Sequence, residues 1–215
     1  MENKLGYEKE YHNFFHRHLL DSESYYKFRA RYASEMYWHH FSLDGKVMEF
    51  GIGLGQNVYS NRHRAFGVDI SKFCASKCAE RKIEVLDDVS KVKSSSVSGV
   101  LCCHCLEHLE NPAFFLKEFF RVLKPHGRLV LMLPVENQEI GVFKPSRTQH
   151  LFAWNFQTIG DLLHSVGFDI KVGRFNYATG FSKFYKLPYP VAVYFIRAFG
   201  MLTDTKELVV VAEKP

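Results

Sequence analysis

The segment Val47-Met48-Glu49-Phe50-Gly51-Ile52-Gly53-Leu54-Gly55 constrains this chain more than any other. Lys46 to Phe50 reads as a short strand that carries an acid near its end and runs directly into glycines at alternating positions. Glycine lets the backbone turn tightly and approach a ligand closely. A helix starting after the loop would present free N–H groups to the same ligand. This strand–loop–helix pattern opens a run of alternating strands and helices, the signature of a doubly wound α/β fold.

Further strands are expected at Ala65 to Ile70, Ile83 to Leu86, Val97 to Cys103, Arg128 to Val135 and Phe168 to Tyr177, with Leu208 to Ala212 as the last. Helices are expected between them. One runs from Ser71 to about Arg81. Another opens at Asn111-Pro112, with Asn as N-cap and Pro in the first turn, and carries the apolar stripe Phe115, Leu116, Phe119 and Val122. A third covers Asn155 to Val166 and is closed by Gly167. Aromatic residues between Tyr7 and Tyr37 recur at roughly helical intervals, which predicts two or three amphipathic helices before the first strand.

The glycine loop alone would also suit a nicotinamide enzyme. The dinucleotide fingerprint G-x-G-x-x-G, however, needs its third glycine where Gln56 stands. Asp69 closes the second strand, where an acid can accept hydrogen bonds from ribose hydroxyls.

Glu49 to Gly55 resembles the E/D-x-G-x-G-x-G motif of class I S-adenosylmethionine-dependent methyltransferases, in particular the group with ubiquinone-biosynthesis and small-molecule or sugar enzymes. Leu106-Glu107-His108-Leu109-Glu110-Asn111-Pro112 and Arg121-Val122-Leu123-Lys124-Pro125-His126-Gly127 are similar to that family's EHL-x-(D/N)-P and RVLKPGG segments. Asn155 to Phe168 is similar to its late helix and turn, so the likeness spans roughly residues 44 to 176. Two positions depart from it: His126 replaces the first glycine of the PGG turn, and Ser98 replaces an aspartate.

The resemblance implies a Rossmann-like sheet of seven strands whose last strand is antiparallel, with S-adenosylmethionine as cofactor. It implies Glu49, Gly51, Gly53, Gly55 and Asp69 as cofactor-binding residues, and an adenine-contacting acid at Asp87 or Asp88, with Asp87 following the strand more directly. One methyltransferase domain over residues 1–215 is expected: a helical cap (1–44), the cofactor-binding core (45–177), a cap or insertion (178–205) and the last strand (206–215).

Methyl transfer from a sulfonium is an in-line displacement, so the protein must align the acceptor and exclude water. A hydroxyl acceptor also needs a base, for which His is suited near neutral pH. His104, after the fourth strand, and His150, before the late helix, are the catalytic candidates. His104 is also expected to line the cofactor pocket, and His108 to orient its loop. The expected activity is O-methylation of a small molecule, sugar or lipid-linked acceptor. The competing reading is a cofactor-binding partner subunit without activity of its own.

The net charge of +5 is spread along the chain, so no nucleic-acid partner is expected. The place that carries N/D-P-P-Y/F in base-methylating relatives reads Cys102-Cys103-His104-Cys105. Cys102 and Cys105 have C-x-x-C spacing, but no second pair follows, so no metal site is expected. Five cysteines, no signal peptide and no apolar run of about 18 residues lead to the expectation of a cytoplasmic protein. The segment 181–202, rich in Phe, Tyr and Pro with interleaved basic residues, is a candidate acceptor cap or a peripheral contact with lipid. Nothing in the sequence sets the oligomeric state.

Overall fold

A computed structural model describes residues 7–136 and 149–215. Thr148 and the first six residues of the expected N-terminal cap lie outside the described residues. In chain order the elements are α1 (Lys9–Phe15), α2 (Arg17–Asp21), α3 (Glu23–Tyr37), β1 (Val47–Phe50), β2 (Ala65–Val68), α4 (Lys72–Glu80), β3 (Val85–Leu86), β4 (Val97–Cys103), α5 (Pro112–Val122), β5 (Leu123–Pro134), α6 (Phe156–Val166), β6 (Asp169–Tyr177), α7 (Phe181–Phe184), α8 (Tyr189–Leu202) and β7 (Lys206–Glu213).

The strands form one seven-stranded sheet in the order β3-β2-β1-β4-β5-β7-β6. β3, β2, β1, β4 and β5 pair in parallel, while β7 runs antiparallel between β5 and β6, as the resemblance implied. The chain leaves β1 toward β2 on one side and later returns to β4 on the other. That reversal opens a crevice at the carboxyl ends of β1 and β4, the usual ligand site of an open α/β sheet.

Each face of the sheet is buried under helices. On one face Leu116, Phe119 and Val122 of α5 and Ile159 and Leu163 of α6 pack on Val100, Leu129, Leu131 and Val210. Asn111 caps α5 and Asn155 caps α6 in a reciprocal capping box, so both helices start where the sequence signals them. On the opposite face Tyr32, Ala33, Met36 and Tyr37 of α3 meet Leu101, Val130, Met132, Val209 and the α8 residues Ala192 and Ile196. Burying one such large side chain stabilises the fold by about 1.5–3 kcal/mol. These two helices therefore serve chiefly to cover the sheet.

The expected helix after the glycine loop is not formed. Turns lead instead to a short 3-10 stretch, Tyr59–Arg64, with non-helical backbone at Asn61. Asn57, Val58, Ser60 and Asn61 are weak helix formers, and α3 fills the adjoining part of the sheet face against Ile52 and Val58. A second difference concerns β5, expected from Arg128. It begins at Leu123, which pairs with Val97, and the register then shifts so that Arg128 pairs with Gly99. The intervening turn holds His126 at φ +61°, where its backbone N–H donates to Lys214 O at 2.8 Å. The residue that replaces the family glycine thus keeps a glycine-like conformation.

α7 and α8 fill the interval before β7. Gly200 lets α8 lie directly on the chain, since a Cβ there would meet the Ala178 backbone nitrogen at 2.7 Å. The outer side of α8 exposes Val191, Tyr194, Phe195 and Leu202. Among the described residues no helix is long and apolar enough to cross a membrane.

Candidate active site

The glycine loop folds back from β1 onto β2, with Gly51 N–H donating to Val68 O at 2.8 Å. Gly51 sits at φ +70°, and a Cβ there would meet Cys105 Sγ at 2.5 Å, so only glycine lets the ends of β1 and β4 approach this closely. Gly53, at φ +53°, is different: the nearest atom to an added Cβ is His12 Cε1 at 3.9 Å. An added side chain would meet only an ordinary contact there, and the Gly53 N–H donates to Asp69 Oδ2 at 2.8 Å. Gly55 completes the turn through its N–H bond to Ile52 O.

Glu49 lies under this loop and is fully buried. Asn57 Nδ2 donates to its Oε1 at 2.7 Å, while Oε2 has no partner. Burial, with a smaller push from Asp69 and opposed by Asn57, drives the carboxyl up to about 8. An unpartnered carboxyl oxygen beneath the glycine loop is a feature that a polar ligand would complete.

Asp69 accepts from Gly53 N–H and, through Oδ1, from Ser71 N–H at 2.9 Å. Each oxygen keeps a lone pair for a ribose hydroxyl. Burial raises its pKa against these bonds. Beyond β3, Asp88 Oδ1 accepts from Ser90 N–H at 2.7 Å and Asp87 Oδ1 pairs with Lys91 Nζ at 2.5 Å, so both acids are partnered. These residues fit the methionine–nucleoside cofactor that the sequence implied.

The β4 side of the crevice carries imidazoles and carboxylates. His104 stands at φ +49°, in the left-handed region that side chains other than glycine rarely adopt. Its Nε2 lies 2.7 Å from Glu207 Oε1, and Asn176 Nδ2 donates to the other Glu207 oxygen at 2.9 Å. Burial acts to lower the His104 pKa, but the Glu207 carboxylate outweighs it and holds the ring above the ordinary histidine value. His104 Nδ1 is also 3.8 Å from Glu107 Oε1.

Glu107 is fully buried, with no hydrogen-bond partner on either carboxylate oxygen among the described residues. Its backbone oxygen accepts from Leu151 N–H at 2.8 Å and Phe152 N–H at 3.2 Å, which pins the 149–152 segment to the end of β4. The His108 and His150 rings meet at 4.7 Å between centroids, and His150 Nδ1 contacts Glu136 Oε1 just beyond β5. Burial lowers the His108 pKa to about 4. His108, read from sequence as a loop-orienting residue, therefore stands in the same cluster as His150.

α1 lies across these strand ends. Glu8 accepts from Ser71 Oγ, Lys72 N–H and Phe73 N–H at the start of α4. His12 Nε2 is 2.9 Å from Cys74 Sγ, and the Tyr7 ring packs edge-on to His108. Sequence reasoning did not single out Asn57, Glu107, Glu136, Glu207, Glu8 or His12 for the site. The only signals were the position of Glu107 in the EHL motif and that of Glu207 in a charged stretch before the last strand.

Residues 48–131 match a family model described as a methyltransferase domain. A comparison with curated proteins finds no match. Among solved structures, a SAM-dependent methyltransferase from Archaeoglobus fulgidus is 18% identical, with TM-score 0.63, covering 94% of this chain and 99% of its own. The 1,6-didemethyltoxoflavin-N1-methyltransferase of Burkholderia thailandensis, solved with its substrate and S-adenosylhomocysteine, is 16% identical, with TM-score 0.60 and coverage of 95% and 84%. The [4+2]-cyclase SpnF is also similar, at 17% identity, TM-score 0.63 and coverage of 86% and 81%.

Proposed function

From a chain that carries a class I S-adenosylmethionine-dependent methyltransferase domain, we propose O-methylation of a small-molecule, sugar or lipid-linked acceptor. The observation that carries this reading is the histidine–carboxylate grouping beside the glycine-loop crevice: His104 on Glu207, and His150 on Glu136. A hydroxyl acceptor requires a base, and a carboxylate-oriented imidazole is suited to that work near neutral pH.

When bound, S-adenosylmethionine supplies an electrophilic methyl group with its leaving group built in. In this reading Asp69 would hold the ribose, Asp87 the adenine, and the glycine loop at Gly53, with Glu49, the methionine portion. His104 borders the cofactor on the β4 side. His150, oriented by Glu136, accepts the proton of the acceptor hydroxyl. α1 covers the strand ends and excludes water, which strengthens every polar interaction beneath it. The exposed Val191, Tyr194, Phe195 and Leu202 of α8 support the lipid-linked variant of the reading.

The test is a transfer assay with methyl-labelled cofactor against fractionated metabolites, glycans and lipid extracts. The expected product carries a labelled methoxy group. Cofactor binding without transfer in any fraction would favour the partner-subunit reading. A labelled N-methyl product would overturn the O-methylation.

A further inference from the structure

We propose that Glu107, His108 and His150, with Glu136 as a fourth donor, form a binding site for a divalent first-row transition-metal ion. One donor atom from each of Glu107, His108 and His150 lies within 4.8 Å of the others. His108 Nε2 is 3.9 Å from Glu107 Oε1, and Glu136 Oε1 adjoins His150 Nδ1. Donors that share an ion at bond lengths of about 2.1 Å stand roughly 3.0–3.5 Å apart at tetrahedral or octahedral angles. Closing this group around an ion therefore needs shifts of the donor atoms of about 1 Å.

Glu107 is fully buried, yet neither of its carboxylate oxygens has a hydrogen-bond partner among the described residues. Leaving a buried polar group unpaired is costly, and most of all for a charged one. Among the described residues the groups acting most on Glu107 are His104, His150 and Glu136, and none of them is an Arg or Lys. A bound cation would satisfy the carboxylate directly.

The donor set selects the class of ion. Two imidazoles and two carboxylates suit zinc, manganese, cobalt, nickel or iron(II), whereas a magnesium or calcium site is built from oxygen donors. The scaffold is also appropriate. Glu107 and His108 are adjacent in one 3-10 turn, and the Glu107 backbone oxygen ties down the segment that carries His150. Three or four protein donors leave a position on such an ion for water or for an acceptor hydroxyl or phosphate oxygen. With the ion bound, the His150 lone pair is occupied, so the oxygen held on the ion takes the acceptor's proton in its place. That last role rests on the acceptor reading above. Occupancy by the ion does not, and the two are measured separately.

The test uses the full-length, untagged protein, stripped with chelator and dialysed separately against zinc, manganese and cobalt, with metal content read by mass spectrometry. The wild type is expected to retain about one equivalent of at least one ion. Glu107→Gln and His150→Ala are expected to weaken retention at least about tenfold. S-adenosylhomocysteine calorimetry on the same samples shows that each variant is folded and reports separately on the cofactor reading. His150 is partly exposed, so its variant keeps the test informative should Glu107→Gln fail to fold. The cobalt-loaded protein is expected to lack a thiolate charge-transfer band. Failure to retain all three ions, retention unchanged in His150→Ala, or a thiolate band would each overturn the proposal.

Discussion

Glu207 on β7 holds His104 at the end of β4 through a 2.7 Å hydrogen bond that reaches across the intervening β5. The antiparallel last strand therefore does more than complete the sheet: it delivers a carboxylate to the ligand end. Residues in one hydrogen-bonded pair are not energetically independent. The double variant His104→Ala/Glu207→Ala is expected to lose less stability in urea denaturation than the sum of the single variants. The coupling should be at least about 0.5 kcal/mol. Strict additivity would mean that the contact contributes nothing in solution.

Gly53 offers a cleaner test of the cofactor site than Gly51 or Gly55, because a Cβ there would meet only His12 Cε1 at 3.9 Å, against 2.5 and 2.8 Å to the nearest atoms at the other two. Gly53→Arg places a side chain where the cofactor backbone should run. It adds only the strain of a left-handed residue, about 1–3 kcal/mol. The variant is expected to fold with a modestly lowered Tm and to show no heat of binding with S-adenosylhomocysteine. Wild-type affinity in that variant would remove the glycine loop from the cofactor site.

The parts legible in the sequence were those governed by local rules. Asn111 and Asn155 marked their helices because caps are local hydrogen bonds, and Val97 to Cys103 showed as a strand because burial on both faces demands an apolar run. The glycines and Asp69 were visible because a tight turn and a strand end leave local marks. The missing helix after the glycine loop was not legible, since α3, from a separate part of the chain, occupies that face. Glu207 and Glu136 escaped notice for a related reason. Their partners lie 103 and 14 residues away, and only strand order and the tie from Glu107 to the 149–152 segment bring them to the crevice.

Glu49 predicts a pH dependence of stability. Its folded pKa is about 8, against an ordinary value of 4.5, so the folded protein keeps a proton that the unfolded chain has already released. Stability from this group is complete below about 4.5 and is lost as pH rises toward 8, on the order of a few kcal/mol over the window. The Tm of the cofactor-free protein should fall across that range. Glu49→Gln, which mimics the protonated form, should flatten the slope. An equal slope in the variant would place the titrating group elsewhere.

His150→Ala is expected to lower kcat at least about tenfold while leaving S-adenosylhomocysteine affinity within about a factor of three. An interaction made mainly in the transition state affects rate more than ground-state binding. The structure places His150 against Glu136 and His108 rather than against the glycine loop, which supports that separation. Steady-state kinetics on the identified acceptor, paired with calorimetry, checks it. Parallel losses in rate and cofactor affinity would instead make His150 part of the cofactor site.

The last prediction concerns α1, whose contacts flank the crevice. Glu8 makes three hydrogen bonds to the start of α4, and His12 contacts Cys74 beside Asp69. None of the α1 side chains belongs to the sheet core, whereas Tyr25, Tyr26 and Phe28 of α3 are buried, and the Tyr26 hydroxyl donates to Leu54 O at 3.0 Å. Deleting residues 1–16 should therefore spare the fold, while a deletion extending to residue 30 should unfold it. A segment that covers a ligand slows ligand escape. The shorter deletion is expected to raise the S-adenosylhomocysteine dissociation rate several-fold in stopped-flow measurements and to lower acceptor methylation, with little change in Tm. An unchanged dissociation rate in a well-folded truncation would show that α1 merely rests on the surface beside the crevice.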